Sequence, residues 1–185
     1  MIRRAGQGET GVWETIVRSH GDAVFRLAFL LLGDPADAED VAQEVFVRAF
    51  RSLDRFDSTR PLRPWLMRIT LNQARNRRRS AGRYLAAVER WFRLEGRTTG
   101  ASNREHDSPV TRDEAAELRR AVARLQSQDQ EVIYLRFFLG MGEAETAAAL
   151  AVPSGTVKSR LSRALSRLRT IIDRDHSTLR EALKA

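Results

Sequence analysis

Three carboxylates stand at i, i+3 and i+7 in this 185-residue chain: Asp37, Asp40 and Glu44, with Glu39 and Gln43 beside them. On a helix that spacing puts all three on one face. Such a face has three uses. It can face water, it can converge on a hard divalent cation, or it can dock a basic protein. The metal reading is the weakest, because no second acidic cluster and no suitably placed histidine completes a site. His20, His106 and His176 lie apart without ligand spacing. No nucleophile, base and orienting group occur together, and no glycine-rich phosphate loop is present. No catalytic residue, metal, cofactor or small-molecule substrate is therefore expected.

The opposite chemistry lies near the other end. The stretch SGTVKSRLSRALSRLR, Ser154 to Arg169, holds five cations and no carboxylate. Wound as a helix, it carries Val157, Leu161, Ala164, Leu165 and Leu168 on one apolar stripe. Thr156, Ser159, Ser162, Arg163, Ser166 and Arg167 lie opposite, flanked by Lys158 and Arg160. Short hydroxyl side chains allow a close approach, and flanking cations suit two rails of phosphate. The first turn, Ser154, Gly155 and Thr156, presents unpaired amides and the positive end of the helix dipole. This is the pattern of a helix that lies in a DNA major groove. A merely solvated basic helix would intersperse acids for i,i+4 pairing, and none occurs from Pro153 to Ile172. Before it, the alanine-rich GEAETAAALAV and the turn AVP complete a helix-turn-helix.

A second cationic segment, NQARNRRRSAGRY (Asn72 to Tyr84), has five arginines and no acid. Arginines at several phases of a helix hold phosphate and specify little. Trp65, at the start of the same helix, offers a stacking surface to an unstacked base. The commoner use of a lone tryptophan is as a core residue.

The elements that must position these groups are all helical, with no strand-period alternation. Trp13 to Leu32 reads as one helix, ended by Gly33. Asp34 is an N-cap, Pro35 suits the first turn, and the acidic helix follows. Its other face, Ala38, Val41, Ala42, Val45, Ala49 and Leu53, is apolar. After the loop FDSTRP comes a helix with Trp65, Leu66 and Ile69 inward, which YLAAVERWFRL extends or follows. Residues Glu95 to Arg112 have almost no apolar side chain and read as a linker. The expectation is an all-α protein of two small domains, 1–94 and 113–185, joined by a flexible linker at 95–112, the second containing the helix-turn-helix.

The net charge is +8, which favours an acidic partner, and there is no cysteine. Disulfides, thiolate metal sites and cysteine nucleophiles are thus excluded. MIRRAGQGETG lacks the apolar core of a secretory signal. The longest apolar run, LAFLLL, falls far short of the roughly 18 residues of a membrane span. The expected compartment is the cytoplasm, with no membrane insertion.

Four stretches together resemble a bacterial RNA polymerase sigma factor of the extracytoplasmic-function (group IV sigma-70) family. GDPADAEDVAQEVFVRAFR resembles the family's polymerase-docking helix. FDSTRPLRPWLMRITLNQARNRRR resembles the segment that opens and reads the −10 promoter element. LQSQDQEVIYLRFFLGMGEAETAAAL resembles the start of the second domain, and SGTVKSRLSRALSRLR resembles its −35 reading helix. The resemblance implies a promoter-specificity subunit without catalysis of its own. Asp37, Glu39, Asp40, Gln43 and Glu44 would dock on the clamp helices of the largest polymerase subunit. Asp57, Ser58, Arg60 and Arg63 would form the loop that captures a flipped base. Trp65, Asn72, Asn76, Arg77, Arg78 and Arg79 would line the separated strand. Ser154, Thr156, Lys158, Ser159, Arg160, Ser162, Arg163 and Arg167 would meet the −35 element. Leu125, Val132 and Leu135 would help to hold the polymerase flap. An anti-sigma factor would be a further partner, and no large extension is expected after the second domain. Thr146 stands where the scaffold helix usually has a branched apolar residue, and Ala151 replaces the usual turn glycine. Two rival readings are a stand-alone helix-turn-helix regulator with a helical sensor domain, and a carboxylate-metal nuclease built on Asp37, Asp40 and Glu44.

Overall fold

The computed structural model describes residues 10–94 and 113–175, with side chains described for 11–81 and 116–175. The expected linker at 95–112 lies outside the described residues, as do His106 and His176. Every regular element among the described residues is helical. The first domain is built from α1 (Thr10–Leu32), α2 (Pro35–Ser52) and α3 (Leu62–Leu94). Gly33, at φ +78°, ends α1 in a left-handed conformation that its missing Cβ permits. Asp34 then caps α2, its carboxylate accepting from the Asp37 N–H at 2.9 Å, and Pro35 opens the helix. α2 buries Ala38, Val41, Val45 and Ala49, the apolar face read from the sequence. A short 3-10 turn, Leu53–Arg55, leads into the loop before α3.

α3 is one uninterrupted helix, so YLAAVERWFRL extends it. Leu66, Met67, Thr70, Leu71 and Ala74 of α3 are buried against Val24, Leu27 and Ala28 of α1 and the buried face of α2. Each buried Val, Leu or Met side chain among them contributes about 1.5–3 kcal/mol. A smaller cluster, Ile16 with Leu53, is closed over by Trp13, Phe56 and Trp65.

The second domain holds α4 (Asp113–Ala123), α5 (Ser127–Ile133), a π-helical turn at Tyr134–Phe138, α6 (Glu143–Leu150) and α7 (Ser154–Asp175). Gln130 is buried and donates to Ala123 O at 2.7 Å and Leu125 O at 2.8 Å. It thereby satisfies carbonyls at the end of α4 that have no helical partner. The π turn buries Tyr134 and Leu135 and leaves Phe137 60% exposed. Burial pushes the Tyr134 hydroxyl pKa up to about 12.

The turn between α6 and α7 passes through Ala151 at φ 58°, ψ 45°. That left-handed conformation costs a residue with a Cβ about 1 kcal/mol. Thr146 is fully buried, with its hydroxyl donating to Gly142 O at 2.8 Å. The internal bond explains how a polar residue is accommodated in the scaffold helix. α7 buries Val157, Ala164, Leu168 and Ile172, with Leu161 partly covered. Leu165, expected on this stripe, is instead 39% exposed. α7 rests in the angle between α5 and α6, and its covered stripe is too narrow to reach that position.

The two domains touch through α3. Arg63 donates to Leu139 O at 2.5 Å and Arg68 to Ala148 O at 2.6 Å. Arg75 forms a two-pronged pair with Glu131, at 2.7 and 2.6 Å, and Arg78 reaches the Gln130 side chain at 3.3 Å.

Candidate nucleic-acid interface

α7 presents its basic side outward. Ser154, Gly155, Lys158, Ser159, Ser162, Arg163, Ser166 and Arg167 are exposed, and Thr156 and Arg160 are half-buried. Ser159 Oγ donates to Thr156 O at 3.1 Å, and Arg163 Nε donates to Ser159 O at 3.2 Å. Both bonds run along the helix surface and hold these side chains over its first turns. Lys158, Arg160 and Arg163 have no ion pair among the described residues, so their charge is available to an outside anion. Arg167 differs: it pairs with the buried carboxylate of Asp129 at 2.5 Å. The exposed row therefore runs from Ser154 to Arg163, and Arg167 ties α7 back to α5.

The residues expected on the −10 element divide more sharply. Asp57, Ser58 and Arg60 form an exposed turn before α3. Asp57 accepts from the Thr59 N–H at 3.0 Å and Thr59 Oγ1 at 2.6 Å, with Arg60 Nε at 3.2 Å. The Thr59 bonds, aided by Arg60, hold the Asp57 carboxyl below the usual carboxylate range. Trp65 is half-buried and packs on Phe56 at a centroid distance of 4.7 Å. It thus belongs partly to the core and keeps part of its ring at the surface. Asn72 and Asn76 are exposed; Asn72 accepts from Arg75 at 3.3 Å and Asn76 from Arg79 at 2.7 Å. Arg63 and Arg78 point to the second domain, through the bonds given above.

Arg77 points elsewhere. It donates to Asp37 at 3.0 and 2.5 Å and to Asp40 at 3.1 Å. The acidic helix face is therefore partly neutralised from α3, and Arg48 pairs with Glu44 at 2.6 Å. Glu39, Asp40, Gln43 and Glu44 remain exposed and Asp37 half-buried, all on one side of α2. Guanidinium groups occupy the carboxylates that a divalent cation would need. Among the described residues no group of three or more metal-ligating side chains converges.

Comparison with known proteins decides between the readings. The sigma-70 region 2 family matches residues 16–84, and the sigma-70 region 4 family matches residues 115–168. The chain is 33% identical to the RNA polymerase sigma factor CnrH of Cupriavidus metallidurans, over 95% of this chain and 94% of that one. The chain belongs to the extracytoplasmic-function sigma-70 family. It is an RNA polymerase sigma factor.

Other relatives agree. The sigma factor is 32% identical to NccH of Alcaligenes xylosoxydans xylosoxydans, over 93% of this chain and 92% of that one. It is 28% identical to SigW of Bacillus subtilis, over 91% and 92% of the two chains. Its fold matches the solved structure of CnrH in complex with the cytosolic domain of CnrY, with a TM-score of 0.70 and 28% identity over 94% and 96% of the two chains.

The sigma factor also departs from the residue-level expectations. Leu125, Val132 and Leu135, expected at the flap, are 6%, 0% and 0% exposed. They are core residues that shape the overlying surface from behind. Arg75, absent from the expected site residues, makes a two-pronged ion pair between the domains. Its signal was a non-local one: the partner, Glu131, stands 56 positions along the chain, on the buried side of α5.

Proposed function

We propose that this sigma factor works as a non-catalytic, cytoplasmic specificity subunit with its tasks divided between domains 1–94 and 113–185, joined by 95–112. α7 lies in the −35 major groove with Ser154, Thr156, Lys158, Ser159, Arg160, Ser162 and Arg163 toward bases and phosphates. Arg167 joins them once it leaves Asp129. The turn at Asp57, Ser58 and Arg60, with Arg63 and the surface part of Trp65, receives an unstacked −10 base. Asn72, Asn76, Arg78 and Arg79 follow the separated strand. Asp37, Glu39, Asp40, Gln43 and Glu44 dock on the clamp helices of core RNA polymerase, with Arg77 ordering this face. The second domain contacts the flap through the surface over Leu125, Val132 and Leu135. Binding energy, not bond chemistry, opens the duplex: unstacking costs a few kcal/mol per step, offset by the base pocket and strand contacts.

The observation that carries this reading is the row of hydroxyls and unpaired cations on α7 of a helix-turn-helix, without a carboxylate from Ser154 to Ile172. Arg63 and Arg78 hold the second domain in the structure described here. The DNA-engaged form therefore separates these contacts. An anti-sigma factor is the fitting antagonist. CnrH has been solved with the cytosolic domain of CnrY, and RpoE of Bartonella quintana with the anti-sigma factor NepR.

The test is co-purification with core RNA polymerase, comparing wild type with the double variant Asp40→Lys, Glu44→Lys. Stoichiometric binding by wild type that charge reversal abolishes is the expected result. Equal binding by both refutes the choice of surface.

A further inference from the structure

Among the described residues of the first domain's α3, Gln73 is the one large polar side chain that is buried without an internal partner. It is 7% exposed and makes no hydrogen bond among the described residues. A carboxamide carries two donors and an acceptor oxygen, and buried groups of this kind are nearly always satisfied. The other buried polar side chains on the contacts described above follow that rule. Thr70 donates to Leu66 O at 2.9 Å and Thr146 to Gly142 O at 2.8 Å. Gln130 bonds two carbonyls, at 2.7 and 2.8 Å, and meets Arg78 at 3.3 Å. A leucine or methionine at position 73 would serve the packing of α3 without leaving unmet polar atoms. The amide has to be explained by something outside the chain.

The surroundings say what. Gln73 lines a groove of about 580 Å³ between α2 and α3. Asp40 and Glu44 stand on its α2 side, Asn76 on its α3 side, and Val47, itself 42% exposed, forms an apolar wall. The carboxylates are paired within the chain, but in the open: Glu44 with Arg48 at 2.6 Å and Asp40 with Arg77 at 3.1 Å. Exposed pairs of this kind are weak and exchange readily for a better cation. A planar guanidinium on an apolar stem matches all three features. Its stem lies along Val47, one N–H group takes a rim carboxylate, and another reaches the Gln73 oxygen.

We infer that Gln73 is a specificity-determining contact of the α2 docking face, and that it receives an arginine side chain from a helix of core RNA polymerase. The inference rests on the reading that this face docks the polymerase. It adds that recognition is not a matter of charge alone. One partner arginine enters the groove, and the buried amide fixes the register at which the partner helix sits.

The substitution Gln73→Met tests it, because methionine keeps the length and shape and removes every donor and acceptor. Two quantities are measured: the Tm of the free protein, and the affinity of a fluorescently labelled protein for purified core polymerase. The expected result pairs opposite effects. The Tm rises by a few degrees, about the effect of relieving one unmet buried group. Core binding weakens about tenfold, since the partner's guanidinium loses a charge-assisted bond in a desolvated groove. Wild-type affinity in the variant overturns the inference while leaving the docking reading intact. A fall in Tm also overturns it, because the amide is then a satisfied part of the fold. Failure of both proteins to bind core removes the docking reading itself, and the inference with it.

Discussion

Glu131→Gln should loosen the contact between the two domains about tenfold. Glu131 is 1% exposed, and its carboxylate takes two bonds from Arg75, at 2.7 and 2.6 Å. The Arg75 side chain is 41% exposed. A hydrogen bond to a charged group contributes about 1.5–3 kcal/mol net, and the open arginine side lowers this through solvent screening. Allowing for both, the lost charge is worth roughly 1.5 kcal/mol, near a factor of ten in equilibrium. Glutamine keeps the shape and one acceptor, so the α5 core is preserved. The converse change, Arg75→Met, leaves a buried carboxylate with no partner and costs about 3 kcal/mol or more. It relieves that cost by opening, which hydrates Glu131. Both variants therefore favour separated domains, and Arg75→Met the more strongly. The chain has no cysteine, so dyes placed through Asp22→Cys and Arg174→Cys report the separation by single-molecule energy transfer. The expected outcome is a tenfold larger open-to-closed ratio for Glu131→Gln with unchanged far-ultraviolet circular dichroism. An unchanged ratio would refute the argument that this pair holds the domains together.

Other consequences concern single sites. Ala151→Gly should stabilise the protein by about 0.5–1 kcal/mol, read as a higher Tm, because glycine relieves the left-handed strain of the helix-turn-helix and gives back part of it as unfolded-chain entropy. Arg163→Ala should weaken binding to a −35 duplex by about 1–3 kcal/mol if the side chain reads a base, with no change in Tm; unaltered promoter choice refutes that role. Burial first, and the nearby Arg63 charge second, hold the His20 pKa below 6.5. The unfolded chain then takes up a proton that the folded one resists, so stability declines as pH falls below about 6.5. His20→Asn should flatten that decline in a pH series of thermal melts.

The helices were legible in the sequence because their signals are local. Asp34, Pro35 and Gly33 mark the α1–α2 junction within three positions, and the buried face of α2 follows from helical spacing alone. What escaped notice depends on partners far along the chain. Counting charge in Asn72 to Tyr84 finds arginines and no acid, and suggests a segment free for phosphate. In the structure Arg75 meets Glu131, Arg77 meets Asp37 and Asp40, Arg78 meets Gln130, and Arg79 meets Asn76. All but the last of those partners are 37 to 56 positions away. The exposure of Leu165 and the burial of Leu125, Val132 and Leu135 have a related cause: a stripe of apolar positions does not say how wide its covering will be.

The same pairings bear on how the protein is kept quiet. A basic segment whose described guanidiniums, Arg75, Arg77, Arg78 and Arg79, are engaged inside the chain must break those bonds before these groups can hold phosphate, so its net gain from DNA is small. α7 is the contrast: Lys158, Arg160 and Arg163 make no ion pair among the described residues, and Arg163 bonds only a carbonyl of its own helix. Free protein should therefore recognise duplex through α7 first and strand through α3 only after the domains part. That order places strand contact behind the Arg75–Glu131 pair, whose removal should raise affinity for a single-stranded −10 oligonucleotide by the same factor of about ten that opens the domains. A Glu131→Gln variant that opens without gaining strand affinity would separate the two events and refute the coupling.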